Sequence, residues 1–283
     1  MRIPRHVLDL DLLEQGRSYY QKLFDEQKQA LGQRLGDPNS DAGAILAESG
    51  STALNLLRYR SVLEPGNREL RSLLDIACLH LGGLFALAAM PAGSGSWGFG
   101  LPTGENILLR GTGPTPQANA RLWIDSFCLA IVARRDEVLD NLVHLPEPIL
   151  RHSPVGCPEY MHLCVAALRD LRAGAASTAD RVIKALHAAS ELLAAPKADP
   201  SVVQLRTAEL EMLAALAGGD GAGFNRFTQK TMTLQRLCWG TRPRLLDPRG
   251  WLSIVGLGLV THAHRQGERI VIRSDYIPEV LVY

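Results

Sequence analysis

Apolar residues recur along most of this chain at helical steps. Between Asp180 and Ala194, Val182, Leu186, Ala189 and Leu193 line one face of a helix. From Gln204 to Ala217 the same spacing returns with Leu205, Ala208, Met212 and Leu216. From Arg121 to Arg135, Trp123, Phe127 and Ile131 share a face, flanked by Ile124 and Cys128. The segment from His6 to Leu31 is more polar, with a thin apolar edge at Leu12, Tyr20, Leu23 and Leu31. The most apolar stretch, Leu73 to Met90, contains Asp75, His80 and Gly82-Gly83 and stops at Pro91. It falls short of the about 20 apolar residues that a membrane span needs, so it reads as a buried core helix.

The breaks between these segments are equally legible. Gly36-Asp37-Pro38-Asn39-Ser40 ends the first helix, and Pro65-Gly66-Asn67 ends the next. Gly218-Gly219-Asp220-Gly221 is short enough to fold its two flanking helices into an antiparallel hairpin. The expected fold is therefore mainly α: an irregular, solenoid-like array of antiparallel helical hairpins with little β, as a single domain over 1–283. A long insertion interrupts it at 91–117. There Gly93, Gly95, Gly98, Gly100, Gly104, Gly111 and Gly113 alternate with Pro102, Pro114 and Pro116, and Trp97 and Phe99 stand among them. Loops of this length inside a domain are usually functional or disordered. Ile107-Leu108-Leu109 predicts a short strand within it. Arg269-Ile270-Val271-Ile272-Arg273 predicts a second short strand or an extended tail.

Composition removes several function classes. The 283 residues are 46% hydrophobic and 21% charged, which excludes a disordered chain. Thirty basic against twenty-nine acidic residues leave a net charge of +1, without the basic excess of a dedicated nucleic-acid binder. Five scattered cysteines with no CxxC pair fit reduced thiols rather than a disulfide framework. The N-terminus turns charged too early for a signal peptide, which points to a cytoplasmic protein.

The chemical motifs are weak. Gly256-Leu257-Gly258 lacks the third glycine of a dinucleotide loop and reads as close helix packing. Gly111-Thr112-Gly113-Pro114 lacks the Lys-Ser/Thr of a phosphate loop, and no GxSxG elbow occurs. His262 and His264 would point about 200° apart on a helix, so a C-terminal cap role suits them better than a metal. Cys157, His162 and Cys164 form the best metal-ligand spacing, yet Cys164 belongs to an apolar run. Asp75 and His80 are the natural acid–base candidates, with a satisfied core hydrogen bond as the simpler reading. No cofactor is expected.

Three segments together resemble the Immunity 49 family of bacterial polymorphic-toxin immunity proteins. The first is the apolar helix Trp251–Val260, the turn His264-Arg265-Gln266-Gly267 and the ending Ile270-Val271-Ile272-Arg273-Ser274-Asp275-Tyr276-Ile277-Pro278. The second is Leu213-Ala214-Ala215-Leu216-Ala217-Gly218-Gly219-Asp220 followed by Phe224. The third is Trp123-Ile124-Asp125-Ser126-Phe127-Cys128-Leu129-Ala130 with Arg135-Asp136. Residues 1–65 offer nothing that matches.

The resemblance implies an all-α immunity protein without enzymatic activity, whose partner is a cognate toxin encoded nearby, an HNH-like nuclease being in keeping with such systems. It assigns no contact residues. Two segments suit tight association: the glycine-rich loop with Trp97, Phe99, Glu105 and Arg110, and the acidic helix start with Asp136, Glu137 and Asp140, which would meet a basic surface. The competing readings are aromatics folded back on the core and a solvated helix face. A helical-repeat adaptor in a larger assembly is the alternative function.

Overall fold

The computed structural model describes residues 2–101, 104–196 and 198–283. It is 66% helical and 5% strand, so the mainly-α expectation holds. In chain order come β1 (Arg2–Ile3), α1 (Leu10–Gly36), α2 (Ala42–Leu63) and α3 (Glu69–Ala89). Then follow β2 (Trp97–Gly100), β3 (Asn106–Leu109), α4 (Ala120–Ala133), α5 (Asp136–Val143) and α6 (Glu147–Arg151). The rest is α7 (Glu159–Ala173), α8 (Thr178–Leu193), α9 (Pro200–Ala217), α10 (Gly221–Trp239), α11 (Ile254–Arg265), β4 (Arg273–Ser274) and α12 (Glu279–Val282).

These elements gather into two compact units. One takes Leu10–Leu63 and Arg68–Gly156; the other takes the described residues through Asp9, then Glu64–Asn67 and Cys157–Tyr283.

The first unit is built on α3. That helix is long and apolar enough, by composition alone, to cross a membrane, yet most of it is buried here. Leu70, Leu74, Leu81, Leu84 and Phe85 are at most 2% exposed, packed between α2 on one side and α4 and α5 on the other. At α4 the Asn119 side chain accepts the Leu122 N–H at 3.0 Å, a cap that fixes where the helix starts. The helix does not run on to Arg135 as its apolar spacing suggests. Arg134 turns left-handed at φ 59° and ends it at Ala133, so α5 starts afresh at Asp136.

The second unit is the array of hairpins. α7 packs on α8, α8 on α9 and α9 on α10. Between α9 and α10, Gly219 adopts φ 66° and the Asp220 carboxylate accepts the Gly223 N–H at 2.8 Å. Gly256 of α11 lies where a Cβ would come within 2.8 Å of Met232 on α10, the close packing expected of that glycine pair.

The first residues of the chain are tied to the last. β1 pairs in parallel with β4, which is only Arg273–Ser274, so residues 269–272 join no ladder. Arg5 donates to the Trp251 carbonyl at 3.0 Å and to the Asp275 carbonyl, and its guanidinium lies 5.8 Å from the Tyr276 ring centroid. The His6 N–H donates to the Tyr276 hydroxyl at 3.0 Å, and its ring Nδ1 lies 2.8 Å from the same oxygen. Burial lowers the Arg5 pKa to about 10 and raises that of Tyr276 to about 12. At neutral pH the clasp thus keeps one cation and one neutral phenol.

Deleting one partner strands the other in a poorly solvated site, at a cost of about 1–3 kcal/mol. Tyr276→Phe and Arg5→Ala are each expected to lower the thermal midpoint by several degrees, measured by circular dichroism, with Arg5→Ala the more damaging. Midpoints unchanged in both variants would show that the clasp contributes nothing to stability.

Candidate functional site

The glycine-rich insertion is a built hairpin. β2 and β3 pair antiparallel with Trp97 opposite Leu109, Gly98 opposite Leu108, Phe99 opposite Ile107 and Gly100 opposite Asn106. The strand expected at Ile107-Leu108-Leu109 is therefore present. At its base the Gly93 N–H donates to the Gly111 carbonyl at 2.8 Å, and the Thr112 N–H donates to the Leu87 carbonyl of α3 at 3.0 Å. A Cβ on Gly111 would meet the Pro91 carbonyl at 2.6 Å, so only glycine lets the two arms close here. At the tip the Leu101 N–H donates to the Glu105 carbonyl at 2.7 Å. Pro102 lies outside the described residues.

The alternation of a strand divides this hairpin into two faces. Phe99 is 3% exposed and meets the His80 ring at 5.3 Å between centroids. Trp97 is half-buried, with its ring 5.7 Å from that of Phe99 and against Gly83 of α3. The two aromatics thus seat the hairpin on α3. The solvent side consists of Gly98, Gly100, Asn106 and Leu108, with Glu105 at the tip and Arg110 beyond β3. Leu108 is 76% exposed because its cross-strand neighbour is a glycine and offers no side chain to cover it. Sequence reasoning placed Leu108 in a strand without singling it out. The signal was the period-two alternation that sets Gly98 and Gly100 on one face.

The second candidate segment sits on the same helix. Val138, Leu139 and Leu142 of α5 are buried, and Asp136, Glu137 and Asp140 point to solvent. Trp123 Nε1 donates to the Leu142 carbonyl at 3.0 Å, and its ring stacks on Phe127 at 5.0 Å. Arg135 grips Asp75 of α3 with two bonds of 3.1 and 3.0 Å. A Cβ on Gly82 would meet Val138 at 2.6 Å, and one on Gly83 would meet Trp97 at 3.0 Å. Neighbouring residues of α3 therefore hold α5 and the hairpin, and the structure brings both sequence-predicted segments to one stretch of one helix.

The suspected acid–base and metal residues do not converge. Asp75 is committed to Arg135. His80 is buried, with its Nδ1 3.0 Å from the Ser49 hydroxyl, and burial lowers its pKa to about 4. Cys164 lies buried on α7 with its thiol raised to about 12, whereas Cys157 sits outside that helix. His262 and His264 both end α11, where His264 meets the Tyr283 ring edge-on at 4.7 Å. Among the described residues no three His, Cys, Asp or Glu side chains gather as a metal site.

What these segments offer is shape and charge: a two-stranded ladder that exposes Leu108, and a three-carboxylate helix face. The sequence model of the family described as Immunity protein 49 matches residues 64–281. The chain belongs to the Immunity protein 49 family. Neither the curated proteins nor the solved structures hold a match to it. As an Immunity 49 protein it carries the hairpin and α5 inside the matched region, while α1 and α2 precede it. Trp123, Phe224 and Tyr276, which carried the resemblance, are each at most 1% exposed, so the resemblance rested on core residues.

Two outcomes follow for this Immunity 49 protein. Gly82→Ala is expected to cost about 1–3 kcal/mol by pushing on Val138, and Val138→Ala in the same chain should recover most of the loss. A double-mutant cycle of thermal midpoints reads this directly; strict additivity would contradict the contact. The second concerns pH. The unfolded chain protonates His80 near its ordinary 6.5 and the folded chain only near 4, so stability falls as pH drops through that window. The loss is on the order of 3 kcal/mol, and burial of His6 and His262 adds in the same direction. His80→Gln should flatten the stability–pH slope between about pH 6.5 and 4. An unchanged slope would assign the acid sensitivity elsewhere.

Proposed function

We propose that this chain neutralises a cognate toxin by binding it directly in the cytoplasm of the producing cell, with the β2–β3 hairpin and the exposed face of α5 as the contact. The observation that carries the reading is the family match over 64–281. The geometry supports it in a specific way. Both segments are seated on α3 by buried side chains, so little conformational freedom is lost when a partner docks. Leu108 supplies an exposed apolar anchor with Glu105 and Arg110 on the same hairpin, and Asp136, Glu137 and Asp140 supply an acidic face on α5. Trp97 and Phe99 act here as supports rather than as contacts. The three carboxylates of α5 suit a basic, nucleic-acid-binding surface, which fits a nuclease toxin; an HNH-like kind is what the family resemblance implies. No enzymatic step is required of the chain.

The test is co-expression with the product of the adjacent open reading frame, scoring growth and co-purification together. The neighbour is expected to be toxic alone and silenced by this chain in a stable complex. Within that complex, Leu108→Glu combined with Asp140→Arg should weaken binding at least about tenfold, roughly 1.4 kcal/mol, with the fold retained by circular dichroism. Toxicity that persists beside the intact chain contradicts the immunity reading. Full affinity in the double variant contradicts the assigned surface.

A further inference from the structure

Outside the hairpin and α5, the strongest unabsorbed feature is the outer face of α10. The helix buries Phe224, Thr228, Met232, Gln235 and Trp239. Its solvent stripe reads Arg226, Lys230, Thr233 and Leu237, with Arg236 on the flank, and the helix contains no Asp or Glu. Two acidic groups lie at its N-terminal end, Asp220 as the cap and Glu268 beside Gly221, where they complement the helix dipole.

The basic side chains of this region fall into two sets. Lys230 is paired with Glu211 at 2.6 Å, Arg244 is held by Asp199 and the Ser201 hydroxyl, and Arg249 is held by Asp247. Those three are committed to the fold. Arg226, Arg236 and Arg242 are exposed, and among the described residues none has a carboxylate within ion-pair distance. Arg269 joins them. Asn225 donates to its carbonyl at 2.9 Å and accepts the Val271 N–H at 2.9 Å, which straps residues 269–271 along the start of α10. Apolar surface is interleaved with this charge: Leu237 is 64% and Val271 47% exposed, and Arg226 lies over the Phe227 ring at 5.0 Å.

Exposed arginines around isolated apolar side chains are the composition of a protein interface, and their shared sign selects an acidic partner surface. A polyanion is disfavoured as the occupant because the whole chain carries only +1 and generates little long-range attraction for one. We propose that the α10 face, through Arg226, Arg236 and Leu237, docks an acidic patch on the cognate toxin. The inference rests on the toxin-binding reading and adds to it a contact of opposite charge to the one assigned to α5. Arg226 and Arg236 lie about 15 Å apart along the helix axis and about 80° apart around it, so partner carboxylates that meet both must wrap the flank of the helix.

The experiment measures binding of the purified full chain to the product of the adjacent open reading frame, at about 50 mM and about 500 mM salt. Arg226→Glu/Arg236→Glu is expected to lower affinity at least about tenfold at low salt, with the gap narrowing at high salt, and Arg226→Ala/Arg236→Ala to fall between. Lys184→Ala, at an exposed position on α8 away from the face, should bind as the parent does. Equal affinity of the charge-reversed and parent chains at both salts, with the variant's circular dichroism intact, overturns the α10 contact and leaves the immunity reading standing. No binding by the parent chain overturns both. A 20-base-pair DNA duplex serves as a control: binding by the parent chain that the reversed variant loses would assign the face to nucleic acid and overturn the proposal.

Discussion

The close approach permitted by Gly82 and Gly83 on α3 is the constraint on which the candidate binding surface depends. One glycine receives Val138 of α5 and the other receives Trp97 of the hairpin, so a single stretch of helix sets both. Glycine inside a helix costs about 0.5–1 kcal/mol relative to alanine. That cost is tolerated because each missing Cβ is replaced by a large apolar side chain from another element. The same arrangement explains why Phe99 and His80 are buried together and why the hairpin holds its shape although four of its strand positions face solvent. Rigidity at the root makes an exposed tip useful for recognition, since ordering costs are met on folding rather than on binding.

In the other unit the corresponding constraint is the clasp between the two chain ends. Arg5 and His6 close on Trp251, Asp275 and Tyr276, so the segment that carries the most distinctive part of the family resemblance is held by residues that precede the family match. The clasp is polar and largely buried, which makes it specific: an arginine that reaches two backbone carbonyls and a phenol that serves both a backbone N–H and an imidazole admit few substitutes.

Much of the fold was legible because apolar spacing is imposed by burial. Val182 and Ala189 repeat at helical steps because they face a core, whereas Leu193, expected on the same face, is 40% exposed near the end of α8; Leu205, Ala208 and Met212 face the core from α9 as their spacing suggests. The features that the sequence left open are those set by contacts distant in sequence. Nothing local announces that Arg134 turns left-handed, that α5 begins anew, or that Arg2–Ile3 pairs with Arg273–Ser274. The β-branched run at 269–272 has the composition of a strand but no neighbour to pair with. In the candidate site, Asp136, Glu137 and Asp140 read correctly as an exposed face because three carboxylates have no place in an apolar core. The glycine-rich segment read as a loop because glycine and proline argue against strands, whereas here alternate glycines leave one face of a hairpin bare. Leu108 escaped notice for a related reason, since its exposure is created by the residue across the ladder and not by its own neighbours in sequence.

The central claim is that recognition uses the hairpin and α5 together because α3 holds both. Hydrogen exchange, compared between the free chain and its complex with the product of the adjacent open reading frame, tests this most directly. The account predicts slowed exchange in the amides of β2, β3 and α5 on complex formation, with α7 and α8 unchanged. Complex formation that leaves the amides of β2, β3 and α5 exchanging at their free rates would contradict it.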